Sequence, residues 1–140
     1  MTKDFNELYK LKCDAMDVMK LEKIIYFFAK QLSGGKYNGG RWNSKTIKAE
    51  DTVVWYFQLD SNEKWNLSSD NFNSETGISS SCLSVLSFTF ALNYLMSEIF
   101  NDVQSKELFD EIERLYYGTI DAIDLILDEN EKLIFYKVID

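Results

Sequence analysis

Histidine is absent from the 140 residues, and with it go Ser-His and Cys-His nucleophilic arrangements, histidine general bases and most zinc sites. The groups left with chemical potential are two cysteines, paired carboxylates and a glycine-rich turn. Cys13 and Cys82 are far apart, lack metal-type spacing and lie among apolar residues, which predicts buried reduced thiols. Gly34-Gly35-Lys36-Tyr37-Asn38-Gly39-Gly40 is a phosphate loop only superficially, because Arg41 follows where a Walker motif needs Lys and then Ser or Thr. Glu50-Asp51 reads as a turn and Asp110-Glu111 as part of a solvent-facing helix. Glycosidase-type chemistry needs two carboxyls flanking one cleft, one of them with a pKa raised by burial, and nothing in the pattern supplies that. No catalytic residue, metal or cofactor is assigned; a small hydrolase or transferase would need a sequestered acidic pair in a deep pocket.

Two surfaces remain as candidates for binding. The first is the turn Tyr37-Asn38-Gly39-Gly40-Arg41-Trp42, where Asn-Gly-Gly can reverse the chain in few residues and two large aromatics flank it. Tyr37, Asn38, Arg41 and Trp42 are its candidate partner-binding residues, beside the plainer reading of a structural turn bracketed by aromatics. The second is an acidic ridge formed by Glu107, Asp110, Glu111, Asp121, Asp124 and Asp128, continued by Glu129 and Glu131. Such a ridge can imitate phosphates to a DNA-binding partner, and a solvated helix face explains it equally.

These residues must be positioned by elements that the pattern outlines. Phe5, Leu8, Tyr9 and Leu11 suggest a short helix over 4–12. Met16, Met19, Ile24, Phe27 and Phe28 recur at helical intervals, with Lys20, Lys23 and Lys30 on another side and Gly34-Gly35 as the stop. Trp42–Lys48, Thr52–Phe57 and Lys64–Ser68 read as three short strands in an antiparallel meander, and 70–78 offers a further edge strand. Ser79, Ser80 and Ser81 are successive N-cap candidates for a helix over 82–96, apolar most of the way round and so buried between layers. Leu108, Phe109, Ile112, Leu115 and Tyr116, continued by Ile120, Ile123 and Leu127, fit one amphipathic helix from about 105 to 128 that Gly118 kinks or breaks. Residues 133–139 are apolar enough to pack on the core, as helix or strand. Trp42, Trp55 and Trp65 fall on the three strands, as core or as a partner surface. The expected fold is α+β: one small antiparallel sheet of three to four short strands against four to five helices, in a single domain over 1–140.

Composition limits the functions further. With 46% hydrophobic and 15% aromatic residues, a chain of this length has material for a packed core without staples. Residues 1–100 carry 12 acids and 11 bases, whereas 101–140 carry 11 acids and 4 bases. That balance argues against direct binding to nucleic acid or anionic membrane, which need clustered Lys and Arg. The start, Met1 to Glu7, lacks a basic region followed by an apolar one, and the apolar run over 82–100 is interrupted by Ser84, Ser87, Thr89, Asn93, Ser97 and Glu98. Both point to a cytoplasmic protein with no membrane span.

The chain resembles antirestriction proteins of the KlcA/ArdB type. The resemblance rests on Tyr37-Asn38-Gly39-Gly40 followed by Trp42 between a helix and short strands. Phe90-Ala91-Leu92-Asn93-Tyr94-Leu95 is similar to the family's Phe-Ala-Leu-Ser-His-Leu run, and Ile134-Phe135 with the terminal Ile139-Asp140 is similar to its tail. It spans roughly residues 16–140; Asn43-Ser44-Lys45-Thr46 is less aromatic than the family's first strand, and Tyr94 stands where the family has His. The resemblance implies a non-enzymatic protein of plasmids or other mobile elements that relieves type I restriction of incoming DNA. Its expected partner is the host restriction complex or an accessory host protein. The alternative is an acidic DNA-mimic inhibitor of a restriction or CRISPR nuclease, acting through the 107–131 ridge.

Overall fold

The computed structural model of the protein describes residues 15–49, 52–69, 72–99 and 106–139. The predicted helix over 4–12, Cys13 and the Glu50-Asp51 turn lie outside the described residues. In chain order the elements are α1 (Ala15–Leu32), β1 (Trp42–Ala49), β2 (Thr52–Leu59), β3 (Trp65–Ser69), β4 (Phe72–Ile78), α2 (Ser80–Ile99), α3 (Lys106–Asp121), α4 (Ile123–Ile126) and α5 (Glu129–Ile139). The architecture is α+β.

The expected meander divides in two. β1 pairs antiparallel with β2 through an unbroken register from Trp42↔Leu59 to Ala49↔Thr52, and β3 pairs antiparallel with β4, from Trp65↔Ile78 to Ser69↔Phe72 with irregular register. β2 and β3 do not join. The reason lies at the end of β2, where the Leu59 N–H donates to Ser84 Oγ of α2 at 2.8 Å and the Asp60 N–H to the Arg41 carbonyl at 2.7 Å. The Asp60 bond only continues the β1–β2 ladder, whereas the Leu59 N–H is on the opposite edge of β2, so a helix takes a donor that a third strand would have used.

α2 is the centre of the molecule. Cys82, Leu83, Val85, Leu86, Phe88, Ala91 and Leu92 are all fully buried, packed with Trp55, Phe57, Leu67, Leu115 and Phe135 in one core. Over Ser80–Glu98 the helix is long and apolar enough to cross a membrane, but 67% of that stretch is buried inside this fold. Its polar residues are silenced locally: Ser84, Ser87 and Thr89 are buried and donate to the carbonyls of Ser80, Leu83 and Val85 at 2.6, 2.8 and 2.7 Å.

Two further details depart from the sequence pattern, and a third settles a segment it left open between helix and strand. In α1 the buried stripe is Leu21, Ile25, Ala29 and Leu32, while Phe27 is 55% exposed. α3 runs through Gly118 without breaking; the chain breaks instead at Ala122 (φ −92°, ψ 5°) and re-enters helix as α4. Residues 129–139 are helix, with Phe135 buried and Lys137 reaching Glu75 on β4 at 3.3 Å.

Candidate functional site

The glycine turn is built from the end of α1. The Gly35 N–H reaches the Lys30 carbonyl at 2.8 Å and the Gly34 N–H the Gln31 carbonyl at 3.2 Å, with Gly34 at φ +65°. This paired closure needs a left-handed residue just past the helix, a conformation that glycine adopts without a Cβ clash. Ser33 then links the cap to the turn: its Oγ donates to the Lys30 carbonyl at 3.1 Å and accepts the Tyr37 N–H at 2.8 Å.

Tyr37 and Trp42 are not surface residues. They are 4% and 0% exposed, and Trp42 Nε1 donates to Tyr37 Oη at 2.9 Å. The Tyr37 ring lies 5.9 Å from Trp42, 6.2 Å from Tyr26 and 6.4 Å from Trp65, centre to centre. Burial pushes the Tyr37 hydroxyl above its ordinary pKa, partly offset by the indole donor that favours the phenolate. The candidate partner set is therefore corrected by half: the two aromatics pin the turn from beneath, because rings this large bury most favourably in the core. Asn38 and Arg41 stay exposed, and Arg41 has no side-chain partner among the described residues. At Gly40 (φ +148°) a Cβ would lie 2.9 Å from Leu59 Cδ1, so the turn also needs a missing side chain to sit against β2.

The turn forms one wall of a cleft of about 490 Å³, whose other wall is Lys23, Tyr26, Phe27 and Lys30 of α1. A smaller apolar cleft, about 280 Å³, lies further along α1 between Ile24, Phe27, Phe28 and Tyr94 of α2. Tyr26 donates its hydroxyl to Glu22 at 2.8 Å, and its pKa is driven up by desolvation and by that carboxylate.

All three tryptophans are core. Trp42 and Trp55 share one face of the β1–β2 sheet, with Trp55 5.7 Å from Phe88 of α2. Trp65 belongs to the other sheet and donates its indole N–H to Ser80 Oγ at 2.9 Å.

The acidic residues differ in what they touch. Glu107, Asp110, Glu111 and Asp121 lie on one side of α3 by helical spacing, all exposed except the half-buried Glu111, which pairs with Arg114 at 3.3 Å. Asp124 pairs with Lys132 at 2.7 Å, and Asp128 caps α5 by accepting the Glu131 N–H at 2.8 Å. The Glu131 carboxylate crosses to the start of α2, accepting the Ser79 N–H at 2.7 Å and the Ser79 hydroxyl at 2.6 Å. Ser79 Oγ in turn accepts the Cys82 N–H at 3.1 Å, so it caps α2 as the serine run predicts.

Among the described residues no three His, Cys, Asp or Glu side chains gather as a metal site. Cys82 is buried, and burial, with Glu131 and Asp128 nearby, pushes its thiol to about 12, far from the thiolate that nucleophilic chemistry needs. A scan against models of protein families finds no match to the chain, and a search of curated proteins finds none either.

Proposed function

We propose that the protein is a non-enzymatic inhibitor of host DNA defence, acting in the cytoplasm to relieve type I restriction of incoming plasmid or phage DNA. It does so by contact with the restriction complex or an accessory host protein. The observation that carries this reading is the build of the motif on which the resemblance to KlcA/ArdB-type antirestriction proteins rests. Tyr37 and Trp42 lock the turn from inside, and Asn38 and Arg41 are left facing solvent beside a cleft. A turn held by buried aromatics presents its polar residues at low entropic cost to binding, which suits a recognition surface. The acidic-mimic alternative draws less support, since Asp124 and Asp128 are already engaged within the fold.

The test is phage plating on a type I restricting strain and its isogenic restriction-negative partner, with and without the protein. Wild type is expected to raise plating on the restricting strain alone. Arg41→Ala and Asn38→Ala together should cut that rise by about tenfold while melting within about 2 °C of wild type, because exposed substitutions away from caps and core cost little. Full relief by this double variant removes the turn as the contact surface. No relief by soluble wild-type protein against any type I system overturns the function itself.

A further inference from the structure

From Lys23 to Ala49 the sequence holds five lysines and Arg41 and not one acid. In a chain of net charge −8 this block is +6, leaving −14 on the remainder. The apparent neutrality of the first hundred residues therefore conceals a cationic block, and the fold concentrates part of it. Lys23 and Lys30 are seven residues apart on α1, hence on one face about 10 Å apart, and both open on the cleft beneath the glycine turn. Neither has an ion pair or a side-chain hydrogen bond among the described residues, and both are exposed. The acid next to them, Glu22, is occupied as the acceptor of the Tyr26 hydroxyl.

The opposite wall adds donors. The N–H groups of Asn38, Gly39 and Gly40 make no hydrogen bond among the described residues, and the two glycines have no side chain to cover them. Phe27, 55% exposed, lies between the two lysines on the same face of α1, with the half-buried Tyr26 beside it. Two exposed ammonium groups and three backbone amides, all without a partner among the described residues, beside an exposed aromatic ring suit an anion that carries a hydrophobic neighbour.

We propose that this cleft binds an acidic segment of a partner protein, holding its carboxylates between Lys23, Lys30 and the amides of residues 38–40 while an adjacent aromatic or aliphatic side chain packs on Phe27. This deepens the reading of the turn as a partner surface and rests on it. A protein segment fits better than a nucleic acid. Phosphate binding draws its strength from a long row of neutralised charges, and among the described residues Lys23 and Lys30 are the cations that line this cleft. The cationic block in an otherwise acidic chain favours this face for an acidic partner, an attraction that weakens with added salt.

The test needs no restriction readout, so it can fail while relief of restriction stands. The full chain, labelled with ¹⁵N, is titrated with a short capped peptide of glutamates interrupted by phenylalanine, with its glutamine counterpart, and with single-stranded oligothymidylate. Expected are amide shifts centred on residues 38–40 and on Lys23 and Lys30 with the glutamate peptide only. The double variant Lys23→Gln/Lys30→Gln should weaken binding by about tenfold, two solvent-exposed charge pairs lost, and should keep the wild-type melting temperature. Equal binding of the glutamine peptide, shifts centred elsewhere, no shifts at millimolar peptide, or tighter binding of the oligonucleotide would each overturn the proposal. The last of these would assign the face to nucleic acid.

Discussion

The hydroxyl of Tyr37 is the acceptor on which the turn depends, since Trp42 Nε1 is buried and donates to it at 2.9 Å. Tyr37→Phe keeps the ring and its packing against Tyr26 and Trp65 but strands the indole N–H. A buried donor left without a partner costs about 1–3 kcal/mol, roughly twice what the hydrogen bond nets when intact. Urea unfolding should show that loss for Tyr37→Phe, and a loss within about 0.5 kcal/mol for Tyr136→Phe on the exposed side of α5. Equal effects would mean that the indole finds another acceptor and the turn is held by packing alone. At this scale the sequence is readable for residue type but not for direction. Aromatics flanking Asn-Gly-Gly mark a turn, yet whether Tyr37 and Trp42 face in or out depends on Tyr26 and Trp65, which come from α1 and β3. Glu131 is the same case: one of many acids along the chain, it is distinguished only by Ser79 lying 52 residues earlier. No spacing rule connects the two.

Buried serines on α2 look alike in sequence and differ in what they hold. Ser84 and Ser87 each donate to the carbonyl one turn back, but Ser84 Oγ also accepts the Leu59 N–H at 2.8 Å. Ser87→Ala removes only a back-bond and should change stability by less than about 0.5 kcal/mol, since the carbonyl it leaves is still bonded in the helix. Ser84→Ala orphans the Leu59 amide and should cost about 1–3 kcal/mol. That is a fall of about 4–10 °C in melting temperature at this size. Matching losses would show that the edge of β2 is satisfied in another way. Elements were legible where the sequence carries local punctuation: Gly34-Gly35 ends α1, Ser79 starts α2, and Thr52-Val53-Val54-Trp55-Tyr56-Phe57 makes a strand. They were illegible where the decision is tertiary. An unbroken helix from Leu115 would have turned Leu127 roughly 120° away from it at 100° per residue. The break at Ala122 instead lets Ile123 and Leu127 return to the core, with no glycine or proline to announce it. The division of the strands into two pairs has the same origin, in a donor from β2 taken by a serine of α2.

Over the whole molecule, the apolar core also encloses a few groups that must remain protonated. Burial pushes the Cys82 thiol from an ordinary 9.0 to about 12 and the Tyr56 hydroxyl from 10.0 to about 12, and raises Tyr37 and Tyr26 as well. In the unfolded chain these groups release protons near their ordinary values, while in the fold they keep them. Between about pH 9 and 12 the unfolded state therefore binds fewer protons, and stability must fall as pH rises through that window, being fully present below it. Base should thus unfold this acidic protein, although self-repulsion of a −8 chain alone would already favour some loss. The two causes separate by salt and by substitution. Repulsion between exposed charges is screened at high ionic strength, whereas buried ionisation is not. Urea midpoints measured from pH 7 to 11 in high salt should still decline above pH 9, and Cys82→Ala, which removes one of the two groups held near 12, should make the decline shallower than in wild type. A flat profile to pH 11 in high salt would mean that these side chains reach solvent as easily in the fold as out of it, which the packing of Cys82 and Tyr56 around α2 and β2 does not allow.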